Sequence, residues 1–449
     1  MKSRPLTYTY SFLVASLLFL LPSNLFAKFF VESGYIHGLL IDYLLPKLYL
    51  SDLVVGSIFL VWLGNVFSKE APRILFKKVT VKATAVIQNN WLLSALVLLV
   101  ALSPVWSNQP LASFWYLAKI LEMLWLGWFL ASHTRYFKKY FLVAGVLVTV
   151  AFQLTLGLYQ IIQQHSWAGY YFLGEPHQFS QLGMAKTVWQ GRELVLAYGT
   201  TAHPNILAGM FTLYLLLFLR FLQQEVTAQP KIPKAWVIAG VVASFFAEAA
   251  VLMITGSFSA ALSFLVGVLI LLFLPRIKKE CSHRPVQAAS VLGASILTIL
   301  FAAPVLIFAL AQLDPSNLSL TRRMYLHEAA FEMWLQQPIF GVGLNAFTTE
   351  LDTLLPTQFG RSFIQPVHHV GLLILAETGV VGVGSLIAVI LHSVRYWLRR
   401  QPQLLLTQIV WLLPLLPLAT LDHYLLSQQT GLLLLVIWST GIFFRLEKN

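Results

Sequence analysis

Long apolar runs are the feature that most constrains how this chain can fold. Stretches of about 20 apolar residues recur from one end of the chain to the other, and that is the length an α-helix needs to cross the hydrocarbon core of a bilayer. They predict roughly twelve transmembrane helices, near residues 8–27, 50–67, 88–106, 110–131, 140–163, 204–222, 235–254, 255–275, 286–311, 369–392, 404–420 and 430–445. Charged residues make up only 11% of the chain, which leaves no soluble domain of ordinary size. We therefore predict an all-α polytopic membrane protein in which residues 1–449 form one integral domain.

The placement of charge predicts the topology. The formal net charge is +12, and most Lys and Arg residues lie in short clusters between apolar runs. The positive-inside rule explains such clusters without invoking nucleic acid. Basic loops alternate with loops that are not basic, and they lie at residues 69–82, 135–139, 231–234, 276–284 and 395–400. This alternation predicts that both termini are cytoplasmic.

Some cations remain on the predicted outer face, against the bias that sets the topology. They are Lys28, Lys47, Lys119, Lys186, Arg192, Arg322, Arg323 and Arg361. Each needs a local reason, and anion binding is one such reason. For Lys28, Lys47 and Lys186, ordinary solvated loop charge is an equal alternative.

A long polar insert on the outer face, residues 312–368, carries several of these cations. Its stretch 321–337 alternates apolar and polar residues at helical spacing, which predicts an interfacial helix. Arg323 lies early in that helix, where its guanidinium can reach the lipid headgroups; snorkelling toward lipid phosphates is the alternative role, and fits Arg322 better. Pro338 ends the helix, and the insert closes on the pair His368-His369 before the next apolar run.

A second outer loop, residues 164–203, contains Arg192 and ends at His203, where Pro204 begins the next helix. The chain has no phosphate-binding glycine loop, no His-Glu-x-x-His and no Asp-x-Asp pair, so we predict no metal and no cofactor. The outer face instead offers arginine, which binds phosphates with a planar fork, and histidine, which transfers protons near neutral pH. A diphosphate leaving group and a hydroxyl acceptor need that pair.

Carboxylates inside the apolar runs are functional candidates because they are costly in a membrane. They are Glu377, Glu248 and Glu122, and Glu122 can pair with Lys119. The three-residue spacing of that pair also allows a purely structural ion pair on one helical face. Glu377 lies nine residues after His368, on about the opposite side of an ideal helix, which argues against a direct relay between them.

Two stretches of the insert and the following run carry a family resemblance. Arg323-Met-Tyr-Leu-His-Glu-Ala-Ala330 leads into Pro338-Ile-Phe-Gly-Val-Gly-Leu-Asn-Ala-Phe347, and His368-His369 is followed nine residues later by Gly379-Val-Val-Gly382. The chain resembles the O-antigen ligase and O-antigen polymerase family of bacterial membrane glycosyltransferases. Weaker similarity lies in Gly199-Thr-Thr-Ala-His203-Pro204-Asn205 and in Asp422-His423-Tyr424.

This resemblance implies a glycosyltransferase of the C-type fold in the bacterial cytoplasmic membrane. The enzyme would be metal-independent and inverting, and would move a glycan from undecaprenyl diphosphate to an acceptor hydroxyl or amide on a glycan, lipid or protein at the outer face. Arg323 would hold the diphosphate and His368 would activate the acceptor or bind phosphate. Further candidates for the substrate and diphosphate site are Arg322, Arg361, Arg192, His369 and His203. A polymerase of the same family and a secondary transporter are the alternatives.

One departure from the family pattern concerns a second phosphate ligand. Many relatives have an arginine in a Ser-Arg-Gly or Ser-Arg-Ser turn, whereas this chain reads Thr255-Gly-Ser257-Phe258-Ser259. Arg361 or Arg192 would have to replace that arginine.

Overall fold

Helices make up most of the chain. A computed structural model describes residues 4–68, 91–176, 183–228, 233–283, 285–314, 318–354, 364–400 and 402–440. The helices are α1 Arg4–Leu20, α2 Leu50–Phe67, α3 Trp91–Ala101, α4 Pro110–Ser132, α5 Lys139–Gln163, α6 Pro204–Ala228, α7 Lys234–Thr255, α8 Phe258–His283, α9 Pro285–Leu313, α10 Leu318–Gln336, α11 Phe347–Leu354, α12 Val370–Arg400, α13 Pro402–Leu412, α14 Leu415–Leu421, α15 Tyr424–Ser427 and α16 Gln429–Thr440. Short antiparallel pairs join β1 Phe26–Lys28 to β4 Lys47–Tyr49, β2 Tyr35–Ile36 to β3 Leu39–Leu40, and β5 Lys186–Trp189 to β6 Arg192–Val195.

The apolar runs form helices, but not all of them are long. Within the described ranges, seven helices are long and apolar enough to cross a membrane, namely α2, α4, α5, α6, α7, α12 and the 291–313 part of α9. Shorter apolar helices occupy four other predicted spans, in α1, α3, α8 and α16. The predicted span 404–420 is two short helices separated at Leu413 and Pro414, because proline has no N–H to continue the first. The chain is a helical membrane protein; the number of twelve spans and the cytoplasmic termini stay predictions.

Helix α6 lies at the centre of the bundle. It is apolar on nearly all sides, as expected for a helix buried on every face, and it packs against α5, α7 and α8. Phe211 and Tyr214 are fully buried within it. Gly209 lets α15 approach, since a Cβ at this position would lie 1.9 Å from the hydroxyl oxygen of Tyr424. This contact brings the start of α15 close to the first turn of α6.

Two glycine motifs, one in the segment Pro338–Phe347 and one at Gly379-Val-Val-Gly382, form one structural unit. Helix α12 is broken at Gly379, where φ is 60° and ψ is −163°, a region that only glycine adopts readily. The insert docks against this break: Val342 N–H donates to Ala376 O over 3.0 Å, and Val380 N–H donates to Pro338 O over 2.9 Å. Backbone groups freed by the break are therefore satisfied by the loop at 338–343.

The predicted interfacial helix of the insert exists as α10, and its apolar face is covered by protein. Met324, Leu326, Ala330 and Met333 are buried, and the helix packs against α9 and α12. Arg323 shares this helix, so packing against two long helices fixes its position. The expectation of a helix lying with its apolar face on lipid is corrected in this respect.

Candidate functional site

Three polar side chains from two distant parts of the chain meet on one side of the bundle. His368 closes the insert, and Asp422 and His423 lie between α14 and α15. One ligating atom of each lies within 4.8 Å of the others, and the rings of His368 and His423 meet edge to face with centroids 4.9 Å apart. Asp422 and His423 are buried, while His368 is partly exposed. We call these three residues the histidine cluster.

Neighbouring elements hold the cluster in place. Asn205, in the first turn of α6, donates from Nδ2 to Asp422 Oδ2 over 2.9 Å. The backbone N–H of His423 donates to Asp422 Oδ1 over 2.8 Å. Nδ1 of His423 lies 2.5 Å from Ser427 Oγ, and the Tyr43 ring packs edge-on against its imidazole at 5.8 Å. The carboxylate and this imidazole are therefore oriented before any substrate arrives.

Two further residues predicted from the sequence lie beside the cluster. His203 precedes α6, and its Nδ1 accepts a hydrogen bond from Asn205 N–H over 3.2 Å. Arg323 is close enough to interact electrostatically with Asp422, His368 and His203. Its guanidinium is partly buried, and it makes no hydrogen bond or ion pair with any residue that the structure describes. A partly buried cation with free N–H donors is suited to binding an anion.

The surroundings of the cluster histidines favour the neutral form of each imidazole. Burial lowers the pKa of His368 well below its ordinary value, and the nearby His423 lowers it further. Burial likewise lowers the pKa of His423 to about 4. A neutral imidazole can accept a proton, which an imidazolium cannot.

Asp422 has the opposite behaviour. Burial would raise its pKa, but His368, His423 and His203 and the hydrogen bond from Asn205 outweigh burial and lower it to about 2. The carboxylate is therefore ionised beside neutral imidazoles. A proton taken up by one of these imidazoles is stabilised by the adjacent negative charge.

The two ring nitrogens of His368 are not equivalent. Nδ1 is buried and has no hydrogen-bond partner among the described residues. Nε2 is not among the buried nitrogens that lack a partner, so it is the nitrogen that we assign to the substrate side. The tautomer that exposes the lone pair of Nε2 carries its proton on Nδ1.

His369 faces inward and caps a helix. Its Nδ1 accepts a hydrogen bond from Leu372 N–H over 3.1 Å. Nε2 then carries the ring proton and lies 3.1 Å from the carbonyl oxygen of Leu300. His369 is 3% exposed, so both nitrogens are engaged by protein. The substrate-binding role predicted for it stays a prediction, and the contacts shown are those of an N-cap of α12.

The other predicted arginines are exposed or lie outside the described residues. Arg192 is exposed on β6, and Arg322 is exposed on α10 beside Arg323. Arg361 lies outside the described residues. Phe258, at the position where relatives have an arginine, begins α8 with 73% of its side chain exposed.

The carboxylates of the apolar runs have protein partners. Glu377 accepts from Phe347 N–H over 3.4 Å at the start of α11, and the expectation that it does not relay to His368 stays a prediction. Glu248 accepts from the Thr212 hydroxyl over 2.5 Å between α6 and α7. Lys119 pairs with Glu122 over 3.3 Å and also with Asp52, which the sequence analysis did not single out.

The histidine cluster also has the donors that zinc prefers. Two imidazoles and a carboxylate are a common protein ligand set for that ion. A metal ion is therefore the alternative occupant of the position between His368, Asp422 and His423. The absence of a metal that we expected from the sequence motifs stays a prediction, and chelation tests it directly.

Residues 241–387 match a family model described as O-antigen ligase. This part of the chain is similar to the O-antigen ligase family. The match covers about a third of the chain, and it includes Arg323, His368 and the unit formed by the two glycine motifs. Similarity to this family indicates a glycosyltransferase-type enzyme of polysaccharide biosynthesis in a membrane. No curated protein matches the chain.

Asp422 and His423 lie outside the matched residues, as does His203. In the sequence, Asp422-His423-Tyr424 is a short polar segment between two apolar runs, and only a weak family similarity drew attention to it. The signal that could have identified it is a carboxylate next to a histidine in a short loop that also adjoins a membrane helix. Its significance becomes clear only when it lies next to His368.

Proposed function

We propose that this chain is an O-antigen ligase-like, inverting glycosyltransferase that moves a glycan from undecaprenyl diphosphate to an acceptor hydroxyl or amide. The reaction takes place at the outer face of the bacterial cytoplasmic membrane, within a C-type fold of about 12 spans. One observation carries the proposal: a neutral His368 lies next to an ionised Asp422. The guanidinium of Arg323, which has no ion-pair partner among the described residues, lies close to both.

The proposed reaction is a single displacement at the anomeric carbon of the donor sugar. The acceptor oxygen or nitrogen forms a bond to this carbon while the bond from carbon to the diphosphate oxygen breaks. The diphosphate leaves with the electron pair, and Nε2 of His368 takes the acceptor proton. A general base in this position contributes about 10²–10⁴-fold to the rate. Asp422 stabilises the imidazolium as it forms.

Arg323 is proposed to bind the departing diphosphate. Negative charge grows on the leaving group in the transition state, where a preorganised cation acts most strongly. The planar fork of arginine matches two phosphate oxygens at once. Helix α10, which carries this side chain, packs against α9 and α12, so its backbone needs little reorganisation when the donor binds.

Transfer assays on the purified protein test the proposal. The donor is an undecaprenyl-diphosphate glycan, and the acceptor is either a lipid core or a second lipid-linked glycan. Product on the first acceptor identifies a ligase, and product on the second identifies a polymerase. We expect turnover by the wild type and a loss of at least about 10²-fold in His368→Ala and in Arg323→Ala.

The matched control for these variants is His392→Ala, which removes an exposed histidine from the other half of α12. It should retain full activity. Unchanged turnover in His368→Ala would remove that residue from the mechanism. Metal chelators should leave the wild-type rate unaltered; a rate that chelators abolish and zinc restores would assign the histidine cluster to a metal instead.

A further inference from the structure

A small polar cleft adjoins the histidine cluster. Tyr43 and Ser427 line it, and both contact the imidazole of His423. Its volume is about 60 Å³, which exceeds the space that one water molecule needs. The cleft can therefore hold a small polar group of a molecule that lies against His423.

Direct hydrogen bonds between separate segments shape this cleft. Asn345 of the insert lines it and donates from Nδ2 to Tyr43 O over 2.8 Å. Tyr116 of α4 also lines it and donates from its hydroxyl to Leu426 O, in α15, over 2.9 Å. The walls of the cleft are therefore held in place before any ligand binds.

Two lysines line the cleft, and their surroundings differ. The ammonium of Lys119 pairs with two carboxylates, those of Asp52 and Glu122. The ammonium of Lys47 pairs with Asp42 at 3.7 Å, which is longer than a good N–H···O hydrogen bond. Lys47 is therefore the less completely paired cation of the two.

The carboxylate that pairs with Lys47 is shared with a second cation. Asp42 also lies 3.4 Å from the ammonium of Lys28, so two ammonium groups share one carboxylate. The side chain of Lys47 is only 12% exposed, and its Nζ lies 4.6 Å from the centroid of the Phe26 ring. A largely buried ammonium with three N–H donors and a shared partner is suited to binding a further anion.

The charge at Lys47 matches a carboxylate. Burial lowers the pKa of Lys47 to about 8, against the opposing effect of Asp42, so the side chain is mostly protonated at pH 7. The two lysines carry one positive charge more than the carboxylate that they share, and a single negative charge balances it. A carboxylate meets this condition better than a phosphate with two negative charges.

Lys47 and Arg323 have different electrostatic surroundings. Asp422 is the charged group that acts on Arg323, whereas Asp42 and Lys28 act on Lys47. The diphosphate that we assign to Arg323 therefore leaves Lys47 available to another part of the substrate.

We propose that Lys47 binds a carboxylate on the substrate glycan, such as that of a uronic acid, while the sugar that carries it lies beside His423. This inference rests on the proposed function and adds the substrate class, namely glycans that carry an acidic sugar close to the reacting group. The donor glycan and the acceptor glycan can both supply such a sugar, and its contact with the ammonium is the same.

The kinetic test uses pairs of substrates that differ in one group. One glycan contains glucuronic acid, and its partner contains glucose at the same position, so that a carboxylate is replaced by a hydroxymethyl group. The acidic sugar is placed first in the donor and then in the acceptor, and the other substrate is kept neutral. The arm in which the wild type prefers glucuronic acid identifies which substrate supplies the carboxylate.

Lys47→Met should raise KM for the glucuronic acid substrate by about 10–100-fold, the effect of losing a hydrogen bond between charged groups. Its kcat and KM for the glucose substrate should stay close to wild type, which shows that the variant is folded. Lys47→Arg keeps the positive charge and should retain most of the preference. The matched control is Lys186→Met, which removes an exposed lysine that pairs with Glu193 on the β5–β6 hairpin.

Equal losses of Lys47→Met on both substrates would overturn the proposal, because Lys47 would then act on a group common to them, such as the diphosphate. Unchanged kinetics on both would overturn it as well. The control Lys186→Met should keep the wild-type preference for glucuronic acid.

A binding assay without turnover separates this inference from the proposed function. Isothermal titration with a free trisaccharide that contains glucuronic acid should give heat of binding in the wild type and in Lys186→Met, and much less in Lys47→Met. The matching trisaccharide with glucose should bind the wild type and Lys47→Met alike. If this pattern holds but no acceptor receives glycan, the assignment of Lys47 is supported and the proposed function fails. If glycan is transferred but neither assay distinguishes the two sugars, the assignment is wrong and the proposed function stands.

Discussion

The carboxylate of Asp422 lies within 4.8 Å of a ring nitrogen of His368. His368 precedes α12, whereas Asp422 follows α14, so three helices separate the two residues in the sequence. The insert delivers the histidine, and a short loop between helices delivers the carboxylate. Their proximity places a negative charge where an imidazolium would form. We expect the chemistry of this protein to depend on both residues.

Asp422→Asn should lower kcat by about 10²–10⁴-fold, because the variant keeps the size of the side chain but removes the charge that stabilises protonated His368. Its thermal unfolding should stay close to wild type, which separates a chemical loss from misfolding. Glu328→Gln is the control, since it neutralises an exposed carboxylate on α10. Equal activity of Asp422→Asn and wild type would exclude this carboxylate from the mechanism.

The pH dependence of transfer should reflect the lowered pKa of His368. Because its pKa lies well below the ordinary value of 6.5, the imidazole stays neutral as the pH falls through 6.5. The rate kcat/KM should therefore stay level from pH 8 through 6.5 and decline only in more acidic solution. Measurement of kcat/KM across this range checks the prediction; a decline centred on 6.5 would indicate an unshifted base.

Arg323→Ala should lower kcat/KM by about 10²–10³-fold, the effect of removing one preorganised group that stabilises transition-state charge. Arg323→Lys should recover only part of this loss, because an ammonium carries the charge without the planar fork. Inhibition by free undecaprenyl diphosphate should weaken in the same order. Arg399→Ala, exposed at the far end of α12, should show neither effect.

Gly379→Ala should destabilise the protein by about 1–3 kcal/mol, because φ at this position is 60° and a non-glycine residue is strained there. The new Cβ would also lie 2.4 Å from Ile339 O, so the docked loop would shift. Thermal unfolding in detergent measures the loss. Gly384→Ala, on the same helix with no atom within 4 Å of the added Cβ, should unfold at or above the wild-type temperature.

Local sequence information was sufficient to locate the helices and part of the site. Apolar length predicts a membrane helix because every backbone group must be satisfied within the segment, and α5 and α6 begin and end close to where the runs do. The spacing of Arg323 and His368 within the family motifs likewise identified two members of the candidate site. The family resemblance can be recognised without knowing which helices pack together.

Only the tertiary structure decided which side chains share the site. His203, Asp422 and Tyr43 come from separate segments, and no periodicity links them, because contacts between helix ends depend on how the whole bundle packs. The same packing turned His369 inward to cap α12 and covered the apolar face of α10. The sequence by itself determined a helical membrane protein with an arginine and a histidine in one insert. Packing around α6 then added the carboxylate beside that histidine, through the close approach of α15 that Gly209 permits.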